Sequence, residues 1–170
     1  ANHTLSHENL SAENLSIQDI ESYILSAEQQ LTTTLDQNHK ILAYPYGEYT
    51  ERVKAVLQQH GFVGFAQHSG AIDANSDHYA LTRFPANGVY ANVATLKTKL
   101  LSLAFPIVNV SPSDTLPPSP RPMLEVTLKD RDFYPQLLAC FVTGQSEPVT
   151  PSWLNESTFT VQATSDIALG

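Results

Sequence analysis

The clearest hydrophobic pattern of the chain is a helical stripe between Leu15 and Leu35. Apolar residues recur there at three- and four-residue steps, namely Ile17, Ile20, Ile24, Ala27, Leu31 and Leu35. This spacing places them on one face of a helix, and such a face turns toward a core. We therefore predict a long amphipathic helix over this segment.

Short apolar runs alternate with further helical patterns along the rest of the first 110 residues. The runs cover residues 41–44, 62–66 and 105–110, and each is typical of a buried strand. Parallel neighbouring strands need a crossover helix between them, so this order predicts an α/β fold with parallel strands, in a barrel or an open sheet. The first further helical pattern starts after Thr50, carries Val53, Val56 and Leu57, and ends near Gly61. The second is capped by Asn92 and carries Val93, Leu96, Leu100 and Leu103.

The last third of the chain changes character at a proline-rich stretch. Residues 111–122 hold five of the 11 prolines, which favours a linker after a first domain over residues 1–110. Short runs rich in β-forming residues follow at 123–128, 136–142 and 157–163. They predict a small antiparallel β appendage over residues 123–170.

Composition and charge narrow the classes of partner. The chain has 9 Lys and Arg against 17 Asp and Glu, a formal charge of −8, and no basic cluster, which argues against nucleic acid. No apolar run reaches the roughly 18 residues of a membrane span. Charged residues make up 15% of the chain, below the roughly 25% of typical domains, and this composition suits an exported protein.

Two histidines near the start of the chain are candidate metal ligands. His3 and His7 lie four residues apart, and on a helical turn this spacing brings both rings to one face, where they can reach one ion. A catalytic zinc needs three protein ligands and an open position for water, so a third ligand must come from elsewhere. Judged by their spacing alone, the alternative is a pair of surface or capping histidines.

The order of elements after the histidines makes the pattern more specific. A long helix follows, and then a strand that ends in Tyr44-Pro45-Tyr46-Gly47. The pattern H-[ST]-x-x-H with P-Y-G at this distance resembles the second and third motifs of polysaccharide deacetylases, the NodB-like group of carbohydrate esterase family 4. The resemblance covers residues 1 to about 110 and implies part of a distorted (β/α) barrel. It also implies removal of acetyl groups from N-acetylhexosamine units of a polysaccharide or peptidoglycan-like glycan, by a bacterial protein of the envelope, periplasm or exterior.

The resemblance also implies roles for particular residues. His3 and His7 would bind a divalent metal ion, most simply zinc, and the backbone N–H of Tyr46 would stabilise the oxyanion of the tetrahedral intermediate. Pro45, which stiffens this loop, and Arg83 are candidate substrate-binding residues, with a buried ion pair as the alternative for Arg83. His68 lies at the end of a predicted strand, where barrel enzymes keep catalytic groups, so it is a candidate proton donor or substrate contact. The alternative for His68 is a loop histidine without a role.

The chain departs from the family pattern in several places. No Asp-Asp motif, which supplies the base and the third ligand, precedes His3, and Ala43 stands where many members have an arginine that orients the base. Residues 61–77 lack the Asp-Trp pair of the fourth motif, and residues 105–110 lack the histidine of the fifth. The base and acid are therefore unassigned, and we expect an incomplete deacetylase that is inactive alone. Exposed barrel edges would favour a homo-oligomer or a domain swap.

Two other classes of function stay open at this point. One is a non-catalytic carbohydrate-binding protein with a degenerate deacetylase fold, and the other is a structural interaction domain whose histidines bind nothing. Phe133, Tyr134 and Trp153 of the appendage could stack on a sugar, although core packing explains such aromatics equally. Zinc binding would separate the first two classes from the third.

Overall fold

The computed structural model describes residues 1–115, 119–142 and 144–167, and it shows a mixed α/β chain. Contacts divide the chain into two compact units, Ala1–Phe105 and Pro106–Gly170. Both sheets of the described residues are open, so the implied barrel is not seen as a closed structure. Among the described helices, none has the length and hydrophobicity of a bilayer span.

Helix α1 spans Ile17–Leu35, as its apolar stripe predicts. A capping box starts it, because the Ser16 hydroxyl accepts a hydrogen bond from the Asp19 N–H and the Asp19 carboxylate accepts one from the Ser16 N–H. Ile20 and Ile24 are 1% and 0% exposed, so the stripe packs into the core of the first unit.

Strands β1 (Ile41–Ala43) and β2 (Val63–Phe65) form a parallel pair, with helix α2 (Glu51–His60) between them in sequence. Helix α2 ends at Gly61 in the left-handed conformation, as predicted. Thr50 occupies the N-cap position but makes no side-chain capping bond, so its predicted cap is absent. The core that joins these elements consists of Leu10, Ile20, Ile24, Leu42, Tyr44, Val53, Val56, Leu57, Phe62 and Ala66.

Two single-residue bridges extend the parallel pair on both sides. Asn2 pairs in parallel with Leu42, and Leu81 pairs in parallel with Phe65. The Asn2 N–H donates to the Ile41 carbonyl at 2.8 Å, and the Ala43 N–H donates to the Asn2 carbonyl at 2.9 Å. Since parallel segments end at the same edge, the residues that follow each of these segments lie along one edge of the unit.

Helix α3 spans Val93–Leu100, and the Asn92 side chain caps it by accepting from the N–H groups of Ala94 and Thr95. The sequence pattern predicts an apolar face turned toward a core. That prediction is wrong for the described structure, because no residue of α3 is buried or belongs to either core cluster. Leu103 lies beyond the helix and is 93% exposed.

The third predicted strand forms, but it belongs to the second unit. Strand β3 (Ile107–Ser111) pairs in antiparallel fashion with β4 (Met123–Leu128), and Val110 lies opposite Val126. The boundary between the two compact units therefore lies in the sequence between residues 105 and 106, rather than at 110. The proline-rich stretch connects two paired strands instead of two domains, although residues 116–118 within it lie outside the described residues.

The second unit is an antiparallel sheet in the order β3-β4-β6-β5, with β5 at Ser152–Trp153 and β6 at Thr158–Gln162. The antiparallel appendage and its strand near residues 157–163 are as predicted. The strand predicted at 136–142 does not form: residues 135–137 make a 3₁₀ turn, and Cys140 makes a single bridge to Val149. Of the appendage aromatics, Phe133 and Trp153 pack against the core of Val126, Leu128 and Phe159, whereas Tyr134 is exposed.

Tyr44 is expected to make the first unit less stable as the pH rises into the alkaline range. Its fully buried hydroxyl donates to the Tyr79 carbonyl at 2.6 Å, and desolvation, followed by the negative charge of Asp77, raises the pKa of Tyr44 far above its usual value. Unfolding releases this proton above about pH 10, so the free energy of unfolding should fall by about 1.4 kcal/mol per pH unit there, and stay constant below it.

We expect urea unfolding measured from about pH 8 to pH 11 to show this slope only above about pH 10, and Tyr44→Phe to show a slope that is smaller by one proton. At the lower pH, Tyr44→Phe should be less stable by about 1 kcal/mol, because the hydrogen bond to Tyr79 is lost. Equal alkaline slopes in the two proteins would contradict the buried position of this hydroxyl.

Candidate metal half-site

A tight loop, and not a helical turn, brings the two histidines together. Thr4 and His7 have φ angles of +58° and +59°, which are uncommon for residues with a side chain. The Thr4 N–H donates to the Asn2 side-chain oxygen at 3.0 Å, and the Glu8 N–H donates to the Thr4 hydroxyl at 3.2 Å. The i, i+4 spacing therefore places the rings together by a different geometry from the predicted one.

His3 and His7 lie against each other with their ring centroids 4.7 Å apart. The Nδ1–H of His3 donates to the Ala43 carbonyl at 2.7 Å, so the neutral ring carries its lone pair on Nε2. A histidine that ligates a metal is commonly held in this way by a backbone carbonyl. Both histidines are exposed, so their rings are accessible from solvent.

Tyr46 completes a row of rings, because its centroid lies 4.5 Å from that of His7. It belongs to the 3₁₀ turn Pro45–Gly47 and has a φ of +59°. Within this turn the Gly47 N–H donates to the Tyr44 carbonyl and the Glu48 N–H donates to the Pro45 carbonyl. In the described part of the chain, no acceptor is found for the N–H of Tyr46. The residue whose ring lies against His7 therefore also carries a backbone donor without a partner among the described residues.

Two neighbours of Tyr46 fix the position of the turn. Pro45 is buried, with under 2% of its surface exposed, so its ring shapes the loop, and its contact with a substrate stays a prediction. Gly47 has a φ of +75°, and a Cβ there would lie 2.5 Å from the Cβ of Gln67. The turn after β1 thus packs closely on the segment after β2.

The structure places His68 and Arg83 at the same edge but not in the row of rings. The ring nearest to His68 is that of Tyr49, at 6.3 Å between centroids, and partial desolvation lowers the pKa of His68. The Arg83 N–H donates to the His68 carbonyl at 3.0 Å, and the Arg83 side chain is exposed. These contacts connect neither residue to His3 or His7, and the roles of His68 and Arg83 stay predictions.

Within residues 1–115, 119–142 and 144–167, no three His, Cys, Asp or Glu side chains lie close enough to hold a metal ion together. The imidazoles of His3 and His7 fit the nitrogen preference of zinc and would fill two of its four positions. Glu8 adds negative charge to the same loop, because hydrogen bonding with the Thr4 side chain lowers the pKa of Glu8. The two imidazoles therefore form a candidate half of a metal site, and their binding of an ion stays a prediction.

Sequence reasoning missed two buried residues behind this half-site. Asn2 is 1% exposed and Glu28, on α1, is 8% exposed, and the Asn2 side-chain N–H donates to the Glu28 carboxylate at 3.1 Å. Glu28 lies four residues after Ile24 and three before Leu31, so it interrupts the apolar stripe. A charge within such a stripe is the signal that could have identified it.

Comparisons with known proteins bear on the first part of the chain. Residues 1–65 match the sequence model of the polysaccharide deacetylase family. Among solved structures, the chain is similar to the Streptococcus pyogenes deacetylase PplD in complex with acetate, with 24% sequence identity and a TM-score of 0.44. That alignment covers 48% of this chain and 35% of PplD. No curated protein sequence matches significantly.

Proposed function

We propose, from the premise that residues 1–65 belong to a polysaccharide deacetylase domain, that this chain takes part in metal-dependent deacetylation of an N-acetylated polysaccharide. The reaction would hydrolyse the acetamide C–N bond of N-acetylhexosamine units. The observation that carries the proposal is the row of His3, His7 and Tyr46 at the edge where the parallel segments end.

The side chains of this row have distinct parts in the proposed chemistry. His3, through Nε2, and His7 would hold a divalent ion, most simply zinc. Such an ion, when bound, lowers the pKa of its water to about 7 and polarises the acetamide carbonyl. The Tyr46 N–H would donate to the oxygen that becomes negative in the transition state, and a single donor of this kind contributes about 10²- to 10³-fold in rate.

The proposal leaves a third ligand, a base and an acid to be supplied. The described residues provide no third ligand near the histidine pair, so we propose that the chain is catalytically incomplete by itself. Export from a bacterial cell and action on an envelope or extracellular glycan belong to the same proposal. Association into oligomers or a domain swap stays a prediction, which light scattering would test.

A non-catalytic carbohydrate-binding protein is the second candidate. The observation that favours it is that, among the described residues, no third His, Cys, Asp or Glu side chain forms a cluster with His3 and His7. The same exposed edge, with Tyr46 and Arg83 available for a sugar, would then bind a glycan without cleaving it.

Binding of short glycan oligomers separates these two candidates. In the deacetylase the acetamide oxygen approaches the ion, so we expect zinc to strengthen binding of N-acetylglucosamine oligomers but not of glucosamine oligomers. Calorimetric titrations with zinc and with a chelator measure this difference. Binding of the acetylated oligomers that is equal in both conditions would contradict the deacetylase and support the binding protein.

A further inference from the structure

Asn2 and Glu28 form a buried polar pair directly behind the histidines. The Asn2 side-chain amide donates to the Ile24 carbonyl at 2.9 Å and to Glu28 Oε2 at 3.1 Å. The other carboxylate oxygen of Glu28 accepts from the Lys40 N–H at 3.2 Å. One carboxylate on α1 therefore holds both the segment that carries His3 and the residue just before β1.

The hydrogen bonds of Asn2 continue from this pair toward the site. Its side-chain oxygen accepts from the Thr4 N–H, and its backbone pairs with Ile41 and Ala43 of β1. The Ala43 carbonyl in turn accepts from His3 Nδ1. A displacement of Asn2 along or away from β1 would therefore separate His3 from the group that fixes its tautomer.

We propose that Glu28 is a positioning residue for the histidine half-site, and that it acts through Asn2 to hold His3 with its Nε2 lone pair available for the metal. The inference rests on the proposed function for its purpose, but the geometry it describes needs no metal. Burial makes the pair sensitive to change, because a buried donor without an acceptor is costly.

Glu28→Gln tests the proposal with a minimal change of shape. A glutamine has an acceptor oxygen at one of the two carboxylate-oxygen positions and an NH₂ donor at the other, so in this geometry the hydrogen bond from either Asn2 or Lys40 is lost. We expect this variant to bind zinc about 10- to 100-fold more weakly, as is typical when a group that orients a ligand is removed. A purely structural role would lower the melting temperature and leave the zinc affinity of the folded protein unchanged.

The matched control is Glu21→Gln. Glu21 is also on α1, but it hydrogen-bonds His60, which ends α2. The variant therefore removes a carboxylate that anchors α1 to α2 and that does not contact His3 or His7. We expect its zinc affinity and the state of His3 to equal those of the wild type. A loss of zinc affinity in this control equal to that of Glu28→Gln would overturn the positioning role.

The second readout is the tautomer of His3, observed through the ¹⁵N shifts of its ring in the metal-free protein at about pH 8, because the two ring nitrogens of an imidazole are distinct. We expect one tautomer, protonated on Nδ1, in the wild type and a mixture in Glu28→Gln. An unchanged tautomer in Glu28→Gln overturns the proposal, whatever the zinc result.

The two proposals fail in different ways. A wild type that binds no zinc, together with a changed tautomer in Glu28→Gln, would remove the proposed function and keep the positioning role. If Glu28→Gln does not fold, Asn2→Ala carries the same tautomer test, since it leaves every residue of α1 in place.

Discussion

Replacing Gly64 with alanine is expected to destabilise the first unit by about 3 kcal/mol, through overpacking and a lost hydrogen bond. A Cβ at this position of β2 would lie 2.5 Å from the Tyr79 carbonyl oxygen and 2.8 Å from the Tyr44 hydroxyl. The backbone cannot move away easily, because Gly64 donates to the His78 carbonyl and accepts from the Leu81 N–H. The added methyl therefore separates the two groups that join Tyr44 to Tyr79.

Urea unfolding followed by circular dichroism at the helical band measures this loss. The three α-helices of the described residues lie in the first unit, whereas the single tryptophan, Trp153, lies in the second and would report on the wrong unit. The control is Gly61→Ala, where a Cβ meets nothing within 4 Å but the φ is +69°, so only strain of about 1–2 kcal/mol applies. Equal losses in the two variants would contradict the close packing at Gly64.

His3→Ala and His7→Ala are each expected to lower zinc affinity by more than about 100-fold, because each variant removes one of the two imidazole ligands of the proposed site. Calorimetric titration at about pH 7.5, compared between each variant and the wild type under the same conditions, measures this loss. The two rings lie together, with centroids 4.7 Å apart, so we expect both variants to weaken binding of the same ion.

His39→Ala is the control for these variants. His39 is exposed and precedes β1, at the end of the strand opposite to the turn that carries Tyr46. We expect it to bind zinc as the wild type does. Zinc binding that survives His3→Ala, or that falls equally in His39→Ala, would show that the ion binds elsewhere.

Much of the first unit could be predicted from its sequence because local signals and burial agree there. The stripe of α1, the short apolar run ended by Pro45 and the left-handed Gly61 each correspond to an element or its end. The histidine pair and its distance from Tyr46 pointed to a candidate site whose residue roles stay predictions, and the family match over residues 1–65 confirms the deacetylase resemblance of that segment.

The remaining features depend on contacts that a local pattern does not encode. An apolar run such as 107–111 does not show whether its neighbour is parallel or antiparallel, and β3 pairs with β4 of the second unit. The face of α3 looks like a core face but is not buried. Asn2 and Glu28 were missed because their importance comes from a contact between residues 26 positions apart.

X-ray absorption at the zinc edge of the loaded protein identifies the atoms bound to the ion, and so tests whether His3 and His7 form a metal site. We expect scattering from two imidazole rings, with nitrogens at about 2.0–2.1 Å and oxygen in the remaining positions. His3→Ala should reduce the imidazole contribution to that of one ring. A spectrum without imidazole scattering, or one that is identical in the wild type and His3→Ala, would contradict a metal site built on His3 and His7.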